Sequence, residues 1–207
     1  MILRTIYTII TIFTLVSCNN IGSRSGINTN KVIKIARYDW LQYEFVTTNS
    51  VSALQRMNTE FPQATKFLIE DVLSLGKVDD NQINRRMKSY LSDSILLKLM
   101  EDALKRFEDL SSVEEQLSLA FSKLKKEFPK FVIPKVYAQF SALSQSVVIG
   151  DSLLGFSIDK YLGSDYPLYK KYYYDFQTRS MRKERIALDC LAFYIQGQYP
   201  ISEDLSS

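Results

Sequence analysis

The sequence contains no histidine. That absence removes Ser-His-Asp triads, Cys-His dyads, H-E-x-x-H zinc sites and any acid–base mechanism that relies on imidazole. Cysteine is almost as scarce, with Cys18 and Cys190 the only two. If Cys18 carries an anchor, Cys190 has no partner, and no disulfide is expected. No apolar run reaches the roughly 20 residues of a transmembrane helix. Nor does one sign of charge dominate. Lysines and arginines number 26, aspartates and glutamates 23, leaving a net charge of +3. This balance argues neither for nor against a nucleic-acid partner, and the export signal read below argues against one. Internal repeats and low-complexity tracts are lacking as well.

What is present begins at the N-terminus. Arg4 precedes an apolar run from Ile6 to Val16, broken only by threonines and closed by Leu15-Val16-Ser17-Cys18. The run is short and weakly flanked, so residues 1–17 read as a secretory signal. Leu-Val-Ser-Cys resembles the lipobox of bacterial lipoproteins. In that pathway the signal is cut before the cysteine, which becomes the diacylated N-terminus. The resemblance therefore implies palmitate-type lipidation at Cys18. Each buried CH₂ contributes about 0.8 kcal/mol, and one acyl chain alone holds only marginally, so several chains anchor firmly. The alternative is an uncleaved signal anchor with a chance cysteine. The stretch from Cys18 to Asn30 is small, polar and without periodicity, as a flexible tether is. Residues 31–207 are long enough for one domain with a sizeable core.

Hydrophobic periodicity predicts a mostly helical α+β fold with a small, mainly antiparallel sheet. Ile33 and Ile35 share one face of a short strand. A helix follows Ser50. Another starts at Pro62 and carries Ala64, Phe67, Leu68, Val72 and Leu75 up to a stop at Gly76. Asp93 is placed to cap a helix with the stripe Ile95, Leu96, Leu99, Met100, Ala103, Leu104 and Phe107. Ser112 and Glu115 match a capping box for a helix that ends before Pro129. From Phe131 the pattern alternates, with Val136, Ala138 and Phe140 on one side. A two-residue turn at Gly150-Asp151 suits a hairpin, with Leu154, Phe156 and Ile158 on one face of its second arm and Leu153, Gly155, Ser157 and Asp159 on the other. A last helix is expected over 180–196. Its centre is apolar nearly all round, which predicts burial.

Several of these pieces resemble the GldB-type gliding-motility lipoproteins. They are Phe128-Pro129, Ile133-Pro134-Lys135-Val136-Tyr137, Phe156 to Asp159, Tyr161-Leu162-Gly163 and Tyr166-Pro167, with Phe61 to Gly76 upstream. The resemblance covers roughly residues 31–200. It implies a cell-envelope lipoprotein of a Gram-negative bacterium from the group that includes gliders. No acidic cluster follows Cys18, which in that group favours an outer-membrane protein facing the periplasm. The family is distantly similar in layout to zincin-type zinc peptidases. In a degenerate zincin-like frame, Leu188 and Ala192 stand where two zinc ligands would be, and neither binds metal. Family members also continue further with more helix, so the chain is expected to be a short or C-terminally truncated member.

The candidate structural or binding residues are Asp159, Asp189, Tyr161 and Tyr166. Asp159 ends a strand, and such an aspartate usually bonds the amides of its own turn. Asp189 lies in an apolar helix and needs a basic or hydrogen-bonding partner, for which Arg185 is one turn away. The two carboxylates together would suit hydrolysis, but nothing in their spacing makes them meet. Tyr166, Tyr169 and Tyr172 to Tyr174 form either a groove for glycan or peptide, with Lys170 and Lys171 adding attraction to anionic polymer or lipid, or a half-buried amphipathic helix with a solvated basic edge. Cys190 reads as a small hydrophobe.

Two functions stay open. The first is a non-catalytic envelope lipoprotein that contacts other envelope components and the membrane through its anchor. The second is a metal-free, hydrolase-derived protein that binds peptide or cell-wall material. The absence of histidine favours the first. No cofactor is expected, and the oligomeric state is left open.

Overall fold

Alternating residues of four short strands point to two different cores, and this division organises the fold. The structure, a computed structural model, describes residues 33–199. The expected signal, tether and lipidated Cys18 lie outside the described residues. Strands β1 (Ile35–Arg37), β2 (Lys135–Gln139), β3 (Val147–Ile149) and β4 (Leu153–Ser157) form one sheet in the order β1-β2-β4-β3. The pairings β1–β2 and β2–β4 are parallel, and only β3–β4 is antiparallel. The sheet is therefore mixed rather than mainly antiparallel. The hairpin pattern reported β3 and β4 alone. The helical half between β1 and β2 supplies the long crossover that a parallel pair requires.

On the α+β, mostly helical architecture the sequence reading and the structure agree. Helices α1 (Tyr38–Thr48), α2 (Val51–Glu60), α3 (Pro62–Phe67), α4 (Ile83–Leu91), α5 (Ser94–Arg106) and α6 (Ser111–Glu127) precede β2. Two short helices, α7 (Tyr169–Tyr172) and α8 (Asp175–Thr178), and the longer α9 (Ile186–Gln198) follow β4. Ser50 caps α2 by accepting from the Ala53 amide. Asp93 caps α5 through the amides of Ile95 and Leu96. Pro62 opens α3, which widens into a π turn over Leu68–Val72. The Ser112–Glu115 box does not form. Instead α6 begins two residues earlier, with Leu110 as its N-cap, and the Asp109 carboxylate accepts from the Ser111 amide.

Val136, Ala138, Leu154, Phe156 and Ile158 join α6 and α9 in the first core. Tyr137 and Leu153 point the other way, into the second core, built with α1 to α5. Phe140, expected beside Val136, falls in the second core because β2 has ended at Gln139 and the alternation with it. Gly155 lies opposite Tyr137 in the β2–β4 register. A Cβ there would stand 2.3 Å from the ring, so only glycine admits this close approach. The free edge of β1 is covered by α6: Ile35 donates its amide to Glu114 and Ile33 to Ser118, each at 3.0 Å. The hairpin loop is Asp151-Ser152, one residue later than expected, since Gly150 already pairs with Leu153 at 2.8 Å.

The last helix also differs from expectation. It starts at Ile186 rather than Ser180, after a 3₁₀ turn over Lys183–Arg185. Ile186, Ala187, Cys190 and Tyr194 are buried, while Leu188 and Phe193 are about half exposed at 51% and 46%. A sheet covers only one side of a helix, so an all-round apolar sequence is not enough for all-round burial. Leu188 and Ala192, the positions of the degenerate zinc frame, lie on the exposed side. Among the described residues, no helix is long and apolar enough to cross a membrane.

Candidate functional site

The parallel strands β1, β2 and β4 end at the same edge of the sheet, the edge where open sheets of this kind gather polar groups. Here Asp39, Gln42, Gln139, Ser141, Ser157 and Asp159 are all fully buried. Each has a structural reason to be there. Arg37 donates to both oxygens of Asp39 in the first turn of α1. The Gln42 amide pairs with the Phe140 backbone in both directions, at 2.9 and 2.8 Å, and so ties α1 to the end of β2. Gln139 donates to Ser157 at 3.3 Å, and among the described residues its own side-chain oxygen has no partner.

Asp159 sits just past β4, in a 3₁₀ turn over Ile158–Lys160. Its carboxylate accepts from the amides of Ser141 at 2.9 Å and Leu143 at 2.6 Å, and from the Ser141 hydroxyl. It thus bonds the loop after β2 rather than its own turn. Burial pushes the carboxyl up, and the Leu143 and Ser141 amides pull it back down. The loop it holds is strained: Ala142 and Leu143 both adopt left-handed backbone, with φ of 53° and 64°. From the other side, Lys160 and Tyr173 both donate to the Leu143 carbonyl, at 3.2 and 2.7 Å. Tyr169 donates to the Asp159 carbonyl at 2.5 Å and accepts from the Leu162 amide. Rings of Tyr166, Tyr169 and Tyr173 meet edge to face in sequence.

The strained loop forms part of a surface groove. One section, of about 410 Å³, lies between Ile95, Lys98 and Asp102 of α5 and Tyr166 to Leu168. A second, of about 500 Å³, shares Ile95 and Leu168 and is walled by Ala142, Leu143 and Tyr173. Tyr166 closes one end by donating to Asp102 at 2.9 Å, which Lys98 also binds at 2.6 Å. Burial raises the Tyr166 hydroxyl, and the Lys98 ammonium lowers the Asp102 carboxyl.

The sequence candidates fall into three separate groups. Asp159 lies behind the groove and Tyr166 on its rim. Tyr161 and Asp189 belong elsewhere: Tyr161 donates to Asp189 at 3.2 Å, and Arg185 binds the other oxygen at 2.9 Å. Asp159 and Asp189 share no hydrogen-bond partner, so they do not form a carboxylate pair. Burial raises the Cys190 thiol well above its ordinary range, which keeps it protonated. Sequence reading missed Gln42, Gln139, Ser141, Ala142 and Leu143. Polar residues at inward strand positions were the available signal for Gln139 and Ser157. Nothing local marks Ala142 or Leu143 as left-handed. Among the described residues, no group of three or more acidic or cysteine side chains is placed to hold a metal ion.

Over residues 22–206 the chain matches the family described as gliding motility protein GldB. No curated protein and no solved structure matches it. The family match spans most of the chain, and the chain belongs to this family, related to the gliding-motility lipoproteins.

Proposed function

We propose that this member of the GldB family is a non-catalytic envelope lipoprotein, held by a diacylated Cys18 on the outer membrane and facing the periplasm. It acts by contacting other envelope components. The observation that carries this reading is the engagement of its carboxylates. Asp159 is consumed in holding a backbone loop and Asp189 in binding Arg185 and Tyr161. Neither is left to a cleft as acid or base, and the chain has no histidine to replace them. The groove between α5 and Tyr166–Tyr173 is walled by Ile95, Leu143 and Leu168, which suits a side chain of another protein better than a reaction.

Two measurements test the reading. Full chain purified from envelopes is incubated with peptide mixtures and cell-wall fragments, with and without added zinc. No turnover is expected. Turnover that disappears in a folded Asp159→Asn or Asp189→Asn variant overturns the proposal. A photo-crosslinker at Ile95, in cells, should give discrete adducts with envelope proteins that the same group at exposed Thr47 does not.

A further inference from the structure

The tyrosine-rich stretch after β4 divides into two sets of rings. Tyr166, Tyr169 and Tyr173 turn inward, and their hydroxyls clamp Asp102, Asp159 and the strained loop. Tyr172, Tyr174 and Phe176 turn outward and are 63%, 73% and 69% exposed. The inward set accounts for why α7 and α8 are fastened to the fold. Tyr172 also walls the second section of the groove, and nothing in the fold accounts for Tyr174 and Phe176. Tyr174 and Phe176 stack with their rings nearly parallel, 5.8 Å apart and 8° between planes, and neither lines the groove.

Charge along this stretch of chain is one-sided. Between Tyr169 and Arg182 stand four cations and one carboxylate, Asp175. Lys170, Lys171, Arg179 and Arg182 are exposed, and among the described residues none of the four makes an ion pair. Protruding aromatic rings with cations on long stems match the headgroup layer of a membrane. Rings settle at the boundary between headgroups and acyl chains, and the stems carry ammonium and guanidinium heads to lipid phosphates. A protein hot spot would instead be ringed by a pocket or a packed rim.

We propose that the outward face of Tyr169–Arg182 is a second membrane contact, which lays the domain on an anionic lipid surface. The inference deepens the anchored-lipoprotein reading and says which side of the domain meets the lipid. It explains the division of the tyrosines: rigid clamping from inside gives the outer rings a fixed platform.

The test uses the full chain, processed and acylated in a bacterial host, with a nitrobenzoxadiazole label on Phe176→Cys. Cys190 is fully buried and should not react. Vesicles are phosphatidylcholine alone or phosphatidylcholine with phosphatidylglycerol. Sedimentation with phosphatidylcholine alone reports the anchor. On phosphatidylglycerol vesicles the Phe176 label should brighten and become shielded from a water-soluble quencher, whereas the same label at Thr47→Cys should not. High salt should reverse the change. In a Cys18→Ser background, each of Lys170→Glu and Arg179→Glu, neither of which lines the groove, should weaken phosphatidylglycerol binding at least about five-fold. An anchored protein whose Phe176 label stays unshielded on phosphatidylglycerol overturns the inference and leaves the anchor standing. Shielding without sedimentation on phosphatidylcholine supports the surface and removes the anchor. Shielding by purified cell-wall glycan but not by phosphatidylglycerol overturns it in favour of a glycan surface.

Discussion

At the scale of single residues, the most informative contact is the one between Asp159 and the loop after β2. Asparagine at 159 would present an amide nitrogen to one of two backbone N–H donors. Asp159→Asn should therefore cost about 1–3 kcal/mol, the penalty for a buried donor left without an acceptor, measured by chemical denaturation. The loop itself makes the opposite prediction. Ala142 has φ of 53°, a conformation that glycine adopts without the steric cost of a Cβ. Ala142→Gly should raise stability by up to about 1 kcal/mol, although alanine-to-glycine changes ordinarily lower it. A loss of stability there would show that the strain is not borne by Ala142. Tyr137 adds a quieter feature. Among the described residues its hydroxyl finds no hydrogen-bond partner, while its ring lies over Gly155.

At the scale of elements, side-chain bonds also fasten one segment to another. Tyr166 straps the segment before α7 to α5 through Asp102, and that strap titrates. The Lys98 ammonium and the Tyr166 hydroxyl both hold the Asp102 carboxyl below its ordinary value. A carboxyl depressed in the folded state stabilises above its unfolded pKa, and the contribution is lost as pH falls through the folded value. The wild type should therefore exceed Asp102→Asn in stability above about pH 4 and lose that lead at more acidic pH. The pair is partly exposed, so the lead should stay within about 1 kcal/mol. Helix α9 gives a sharper contrast between its two sides. Tyr194 meets Phe121 and Phe131 edge to face at 5.8 and 5.9 Å and is fully buried. Tyr194→Ala should cost about 3–5 kcal/mol. Leu188→Asp, one face away, should cost within about 0.5 kcal/mol in thermal or denaturant melts. Equal losses would mean that both sides of α9 are covered in solution.

For the molecule as a whole, β2 and β4 serve both cores at once. Val136 and Phe156 face one, Tyr137 and Leu153 the other. Neither core keeps its wall if the other loses the sheet, so unfolding should be a single transition. Tyr194→Ala in the first core and Met100→Ala in the second should each lower that one transition. Calorimetry that resolves two peaks, with each variant moving only its own, would contradict the shared-sheet account. The same sheet positions the groove: its carboxyl edge carries Asp159, Asp159 holds the loop, and the loop walls the groove.

Much was legible before any coordinates, because it is decided by short stretches of chain. The helical first half, the helix after Ser50, the Asp93 cap, the Pro62 start and the two faces of the second hairpin arm follow from local periodicity and capping chemistry. The zero histidine count alone removed whole classes of catalysis. Tertiary structure decided what depends on which segments meet. Parallel pairing of β1 with β2 joins residues about a hundred positions apart, and no local pattern encodes that choice. Asp159 was legible as a structural carboxylate, but its true partners, Ser141 and Leu143, lie across the sheet edge. The apolar run of α9 marked a helix of the core, while the side left open was set by the single sheet it rests on. Likewise the tyrosines announced themselves in the sequence, and only the fold sorted them into inward clamps and outward rings. That sorting rests on which hydroxyls find a buried acceptor, and a buried acceptor exists only once distant segments have come together.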